Sequence, residues 1–355
     1  MNPILVTSTA ESTGKTAISL ALAKHAADAG RSVGYMKPKG TRLQSATGKT
    51  LDEDPMLARE VLGLDTPMHE MEPIVYSPTF IEEAIRGRED PDELRERVRE
   101  AYETVAADRE TVLVEGGGVY TTGGIVDLTD PDVADLLEAT VLLVTRYDGP
   151  GDVDDVLAAA DAFGDRLGGV LFNAVGDDEF DGLTEDVIPF LEGRGITVFG
   201  ALPEVSDLSG VTVAELAESI GAEVLTDEAA TDAHVERFSV GAMSSDAALR
   251  GFRRTRDAAV ITGGDRPDIQ TAALEAPGVK CLVLTGGFRP TGAVVGRAEE
   301  AGKPVLVVQA NTRTTIDRVE DVIQSGRTRD PDTVTRMGEV LADGVDVDAA
   351  LALGE

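Results

Sequence analysis

Residues 4–29 constrain this chain more than any other stretch. Ile4–Thr7 is a short apolar run, Ser8–Thr13 is a loop of small and polar residues, and Gly14-Lys15-Thr16 opens a helical pattern in which Ile18, Leu22 and Ala26 share a face. Gly30 follows as a helix stop. A strand that turns through such a loop into a helix presents backbone N–H groups and the positive end of the helix dipole at one spot, a cradle for phosphate oxygens. Lys15 is placed to reach terminal phosphates, and the Thr16 hydroxyl suits Mg²⁺.

Thr9 to Thr16 follows the P-loop spacing G-x-x-x-x-G-K-[ST], except that Thr9 stands where the first glycine belongs. Thr9, Ser12, Thr13, Gly14, Lys15 and Thr16 are therefore the expected nucleotide-binding positions. The alternative is a helix start with an incidental Gly-Lys-Thr. Lysine usage argues for the anion site. Only seven lysines stand among 32 cationic residues, yet five of them (Lys15, Lys24, Lys37, Lys39, Lys49) fall in the first fifty positions. A sequence that elsewhere sheds lysine keeps it here.

The apolar runs Ile4–Thr7, Ser32–Met36, Thr111–Glu115, Val141–Thr145, Gly169–Asn173 and Thr197–Gly200 alternate with helical patterns, which predicts a parallel α/β sheet flanked by helices. In such sheets ligands gather beyond the strands' carboxyl ends. Lys37 and Lys39, in YMKPKGT, end the second strand; either can clamp an acidic substrate or a γ-phosphate, or simply be solvated. Glu115 ends the third strand before Gly116-Gly117-Gly118 and suits a Mg²⁺ ligand, with a surface turn as the alternative. One of Asp52, Glu53 and Asp54 can complete the metal shell, or Asp54 can cap a helix beginning near Pro55. Asn173 either reads an adenine edge or caps a turn.

The texture changes after Pro203, and the predicted division is 1–208, 209–327 and an acidic helix or tail at 328–355 whose last residues fray. Within the middle part AVITGGDRPD (259–268) is echoed by LVLTGGFRPT (282–291), and a third strand, Pro304–Gln309, leads to Asn311, Thr312 and Arg313. This predicts a smaller α/β domain with glycine-rich loops able to take an anion, a nucleotide or a partner, or forming tight turns only.

A formal net charge of −33 repels nucleic acid and anionic membranes, so neither is an expected partner. With 42% hydrophobic residues the acidity coats a folded globule, as in a salt-adapted protein. Cys281 is the only cysteine and reads as core, the three histidines (His25, His69, His234) share no metal-ligand spacing, and no run is long enough to span a bilayer. A cytoplasmic protein without covalent catalysis is the expectation.

TSTAESTGKT, GYMKPKG, VLVEGGG and LFNAV resemble the dethiobiotin synthetase-like P-loop group. Together with VGAMSSDAAL (240–249) and VITGGDRPDI (260–269), they are most similar to the amino-terminal region of long phosphotransacetylases, a P-loop domain followed by a DRTGG domain. The resemblance implies ATP and Mg²⁺ as cofactors, with Thr16, Asp54 and Glu115 on the metal, Lys15 and Lys37 on phosphate and substrate as the catalytic pair, and Asn173 near adenine. It implies a nucleotide-sensing regulatory protein of acyl-phosphate or central carbon metabolism, or alternatively an ATP-dependent ligase acting on an acidic small molecule. It also implies a homo-oligomer. Long phosphotransacetylases continue into an acyltransferase domain, and this sequence stops at 355, so acetyl transfer is not expected.

Overall fold

The structure is a computed structural model, and it describes all residues except 1, 42, 47–48, 206–207, 209, 227–230, 242–244 and 326–329. Part of the 240–249 motif thus lies outside the described residues. The chain divides into two compact units, Met1–Glu204 with Thr328–Glu355, and Val205–Arg327.

The first unit is built on six parallel strands: β1 (Ile4–Ser8), β2 (Val33–Met36), β3 (Thr111–Glu115), β4 (Thr140–Thr145), β5 (Leu167–Val175) and β6 (Val198–Pro203), in the order β6-β5-β4-β1-β3-β2. Parallel strands covered on both faces carry near-continuous apolar runs, and β3 and β4 obey this: every residue of Thr111–Glu115 is buried, as are five of six in Thr140–Thr145. The central position of β1 puts the following loop in the middle of the carboxyl edge. Its register sets Val6 beside Glu115, so the end of β3 lies next to that loop.

Five of this unit's helices matter below. They are α1 (Lys15–Asp28), α2 (Glu53–Leu62), α3 (Pro91–Ala106), α4 (Asp130–Leu137) and α5 (Val153–Phe163). Leu94, Val98 and Val105 of α3 and Val133 of α4 pack with Leu5, Val114 and Leu143 in one core. The helix α1 departs from a one-faced crossover. Ala17, Ile18, Leu20, Ala21, Leu22 and Ala23 are all buried, because the helix Pro331–Gly344 packs against it. A helix apolar all round must be covered all round. The chain end is correspondingly docked, not frayed: Leu351 and Gly354 are buried, and Asn2 N donates to the Gly354 carbonyl at 3.2 Å.

The second unit has four parallel strands, β7 (Arg237–Val240), β8 (Ala258–Gly263), β9 (Val279–Thr285) and β10 (Val305–Val307), with Glu223–Val224 added antiparallel beside β10. Its helices are α6 (Val213–Ile220), α7 (Ser245–Phe252), α8 (Pro267–Leu274), α9 (Gly292–Glu300) and α10 (Thr312–Ser325). Cys281 is buried in β9, and burial pushes its thiol up to about 12, which leaves it an inert core residue.

Candidate functional site

Gly14 is the N-cap of α1. It has the left-handed φ of 82° and gives the helix no side-chain cap, so the first turn presents backbone N–H groups outward. The loop is fixed from behind. Asn173 Nδ2 donates to the Thr13 carbonyl at 2.8 Å, and a Cβ on Gly14 would come within 2.4 Å of the same nitrogen. Asn173 thus touches the loop itself, which neither of its sequence readings foresaw. Thr9 Oγ1 lies 2.8 Å from Thr145 Oγ1, tying the loop's first position to the end of β4. Glycine at that position would lack this bond.

Lys15 is half-buried and folds back onto Ser8 Oγ at 3.3 Å and the Gly118 carbonyl. Burial lowers its pKa, partly opposed by Glu115 and Asp130. Thr16 Oγ1 donates to Glu115 Oε1 at 2.7 Å, and Tyr35 OH donates to Oε2 of the same carboxylate at 2.7 Å. Burial, followed by Asp54, raises Glu115 to about 7, although Lys37 and Lys15 pull the other way. The same burial, with Glu115 beside it, pushes the Tyr35 phenol well above its usual range and keeps it a donor.

Lys37 is fully buried. Its ammonium lies 2.9 Å from Asp52 Oδ2, contacts Asp54 Oδ2, and is 3.9 Å from Glu115 Oε1. Burial alone would lower its pKa, but Asp54, Asp52 and Glu115 together raise it, so it stays charged. Asp52, not Asp54, caps α2. The helix starts at Glu53, two residues before the predicted Pro55, so the Asp54 N–H donates to Asp52 Oδ1 at 2.9 Å and the Asp54 carboxylate remains facing Lys37. Lys39 goes elsewhere. It is buried against the carbonyls of Thr122 and Leu128 and the carboxylate of Asp130, which also accepts from Thr7 Oγ1 at 2.5 Å.

One ammonium therefore stands among three buried carboxylates and the hydroxyl of Thr16. Desolvated anions in excess of their cations, all with hard oxygen donors, match a hard dication. Among the described residues no group of three or more His, Cys, Asp or Glu forms an all-protein metal cage. Mg²⁺ at a phosphate site does not need one, since it usually takes one or two carboxylates with phosphate oxygens and water.

Three contributors have no counterpart in the motif reading: Tyr35, Asp130 and Glu72. Tyr35 shares a strand face with Lys37 by the two-residue period, a signal that was available. Asp130 had none, because it meets Thr7 across 123 positions. Glu72 accepts from Asp52 N at 3.0 Å, and its Oε1 is buried without a partner. Burial raises this carboxyl to about 7.

The AAA_26 family model, described as an AAA domain, matches residues 2–212, and the DRTGG domain model matches residues 215–322. The chain is 26% identical over 330 residues to the phosphate acetyltransferase of Pseudomonas putida, covering 87% of this chain and 46% of that protein. It is 33% identical over 173 residues to the ATP-dependent dethiobiotin synthetase of Frankia casuarinae, covering 47% of this chain and 67% of that one. A solved structure of the MinD cell division protein from Aquifex aeolicus aligns with a TM-score of 0.35 at 16% identity, over 59% of this chain and 84% of that one. The chain spans about half the length of the phosphate acetyltransferases it matches. The AAA_26 model covers more than half of the chain, and the chain belongs to this family of P-loop domains, here followed by a DRTGG domain.

Proposed function

We infer that this protein binds ATP with Mg²⁺ in its first unit and serves as a nucleotide-sensing regulator of acyl-phosphate or central carbon metabolism, with the DRTGG unit as the output or second-ligand domain. The observation that carries this reading is the buried cluster of Thr16, Glu115, Lys37 and Asp54 behind an uncapped helix start. In the nucleotide-bound protein the α1 N-terminus and Lys15 hold phosphate oxygens. Thr16, Asp54 and Glu115 would hold Mg²⁺, which would supply charge neutralisation at the phosphates. To reach phosphate, Lys15 would have to leave the Gly118 carbonyl, and Lys37 would share Asp54 with a bound cation. Such an exchange would couple nucleotide binding to a rearrangement of the loop. Similarity to phosphate acetyltransferases across both units favours regulation of acyl-phosphate chemistry.

A second reading, ATP-dependent ligation of an acidic small molecule, is favoured by the 33% identity to a dethiobiotin synthetase and by Lys37 beside the phosphate edge. Lys15 and Lys37 are then the catalytic pair, neutralising the transferring phosphoryl group. Cytoplasmic location, salt adaptation and a homo-oligomeric state belong to the same proposal. The test is ADP release by the full chain at high salt, with and without diaminopelargonic acid and bicarbonate. Regulation predicts slow turnover that ignores the added substrates; substrate-dependent release replaces it with the ligase.

A further inference from the structure

Lys39 has no task in the nucleotide site as described so far, yet it is among the largest fully buried side chains of the protein. A lysine is almost never buried unless its charge is met. Its ammonium has three N–H donors, and three acceptors converge on it: the Thr122 carbonyl at 3.0 Å, the Leu128 carbonyl, and Asp130 Oδ1 at 3.0 Å. The two carbonyls belong to the loop that leads from β3 to α4, and Asp130 is the first residue of α4. Lys39 is therefore neither solvated nor turned toward phosphate. It closes the 116–128 loop from the inside.

The same loop is fastened to β1 at several points. Gly116 N donates to the Val6 carbonyl at 2.9 Å, and Tyr120 N donates to the Ser8 carbonyl at 2.9 Å. Thr7 Oγ1 donates to Asp130 Oδ2 at 2.5 Å, while Asp130 N donates to the Tyr120 carbonyl at 3.0 Å. Packing leaves little slack. A Cβ on Gly116 would stand 2.0 Å from Asp130 Oδ2, and one on Gly117 would stand 2.4 Å from the Lys39 carbonyl oxygen. The glycines after Glu115 thus let the loop close onto Lys39 and Asp130.

This closure decides where one carbonyl lies. Gly118, between the anchored Gly116 and Tyr120, accepts from Lys15 Nζ, and Ser8 Oγ holds the same ammonium at 3.3 Å. Phosphate has to compete with that carbonyl for Lys15. Without a cation among them, the carbonyls of Thr122 and Leu128 and the Asp130 carboxylate would be converging acceptors in a buried place, an arrangement that the loop relieves only by opening.

We propose that Lys39 and Asp130 are positioning residues of the phosphate site: by closing the 116–128 loop against β1 they hold the Gly118 carbonyl in competition with phosphate for the Lys15 ammonium. The pair touches no nucleotide. It acts through Lys15, so the inference rests on the assignment of Lys15 to phosphate, and it makes loop closure a control on nucleotide affinity.

The test uses the full chain with Lys39→Met and Asp130→Asn together. Methionine keeps most of the volume, and the amide oxygen can still accept from Thr7. Lys39→Met alone would leave a buried carboxylate whose charge already acts on Lys15. Limited acylation with acetic anhydride, read by mass spectrometry, reports each lysine without any nucleotide. Lys15 should react at least about threefold faster in the double variant, while Lys24, further along α1, is unchanged and the buried Lys37 stays protected as evidence of an intact fold. Calorimetry should then show Mg²⁺·ATP binding about three- to tenfold tighter, because the free protein no longer has a charge-assisted contact to break; a merely structural role predicts weaker or equal binding. Thr7→Val, which removes only the bond from β1 to Asp130, should move Lys15 in the same direction and decides the matter if the double variant does not fold. An unchanged Lys15 rate with Lys37 still protected, or tightened nucleotide binding that fails to appear in a variant whose Lys15 is released, overturns the proposal. A faster Lys15 in a protein whose parent does not bind ATP leaves the positioning role standing and removes the function assigned to the site.

Discussion

Replacing Lys37 with Met isolates the electrostatics of the first unit. Methionine keeps most of the side-chain volume, so the loss is one of charge and not of packing. The Lys37 side chain is 1% exposed, and Asp52, Asp54 and Glu115 are 0%, 1% and 0% exposed, so little water can take over its role. Removing one partner of a buried pair costs about 3–5 kcal/mol. Asp52 keeps the N–H groups of Thr41 and Asp54, which places the expected loss near the lower end, about 3 kcal/mol at pH 8. The pH dependence follows from Glu115. Its folded pKa, about 7, lies above the ordinary 4.5, so its contribution to stability is present below about 4.5 and is lost as pH rises through 7. Lys37 pulls that pKa down, so without it the carboxyl holds its proton longer, and the penalty shrinks as pH falls toward 5.5. Urea unfolding by circular dichroism measures this on the transition that Mg²⁺·ATP displaces. A loss under about 1 kcal/mol at pH 8, or a loss independent of pH, refutes the reasoning.

Three further outcomes are expected. Gly14→Ala forces a left-handed φ of 82° on a side chain and displaces Asn173 from the Thr13 carbonyl; denaturation should show a loss of about 2–3 kcal/mol, with nucleotide affinity falling too. Glu72→Gln removes a carboxyl whose raised pKa of about 7 costs stability once pH exceeds it, so the variant should gain on the order of 2 kcal/mol over the parent at pH 8 and nothing near pH 4.5, read from paired urea titrations. Tyr35→Phe leaves the buried Glu115 Oε2 without its donor, so Mg²⁺·ATP affinity should drop by about tenfold in calorimetry and urea unfolding should show a loss of about 1–3 kcal/mol.

The sheet and the phosphate loop were legible because their signals are local. Runs such as Thr111–Glu115 and Thr140–Thr145 are apolar on both faces, as covered parallel strands must be, and the loop's spacing lies within eight consecutive residues. Lys37 was conspicuous because lysine is rare in this sequence. Its partners were harder to assign. Whether Asp52 or Asp54 faces it depends on a helix starting at Glu53 instead of Pro55, a shift of half a turn that propensity does not resolve. Lys39 and Asp130 meet across 91 positions, and α1 is covered on its outer side by a helix from the far end of the chain. Such contacts come from tertiary packing, which no window of sequence contains. The fate of the final residues was misread for the same reason: their polarity suggested a loose end, but Leu351 and Gly354 supply the few apolar contacts that dock it.

The account rests on the P-loop accepting a triphosphate. Calorimetric titration of the full chain with ATP and Mg²⁺ should give saturable binding that weakens by about 10- to 100-fold in Lys15→Ala, the worth of one charge-assisted contact to phosphate. Binding of equal strength in the two proteins, or none in the parent at millimolar ATP, would contradict it.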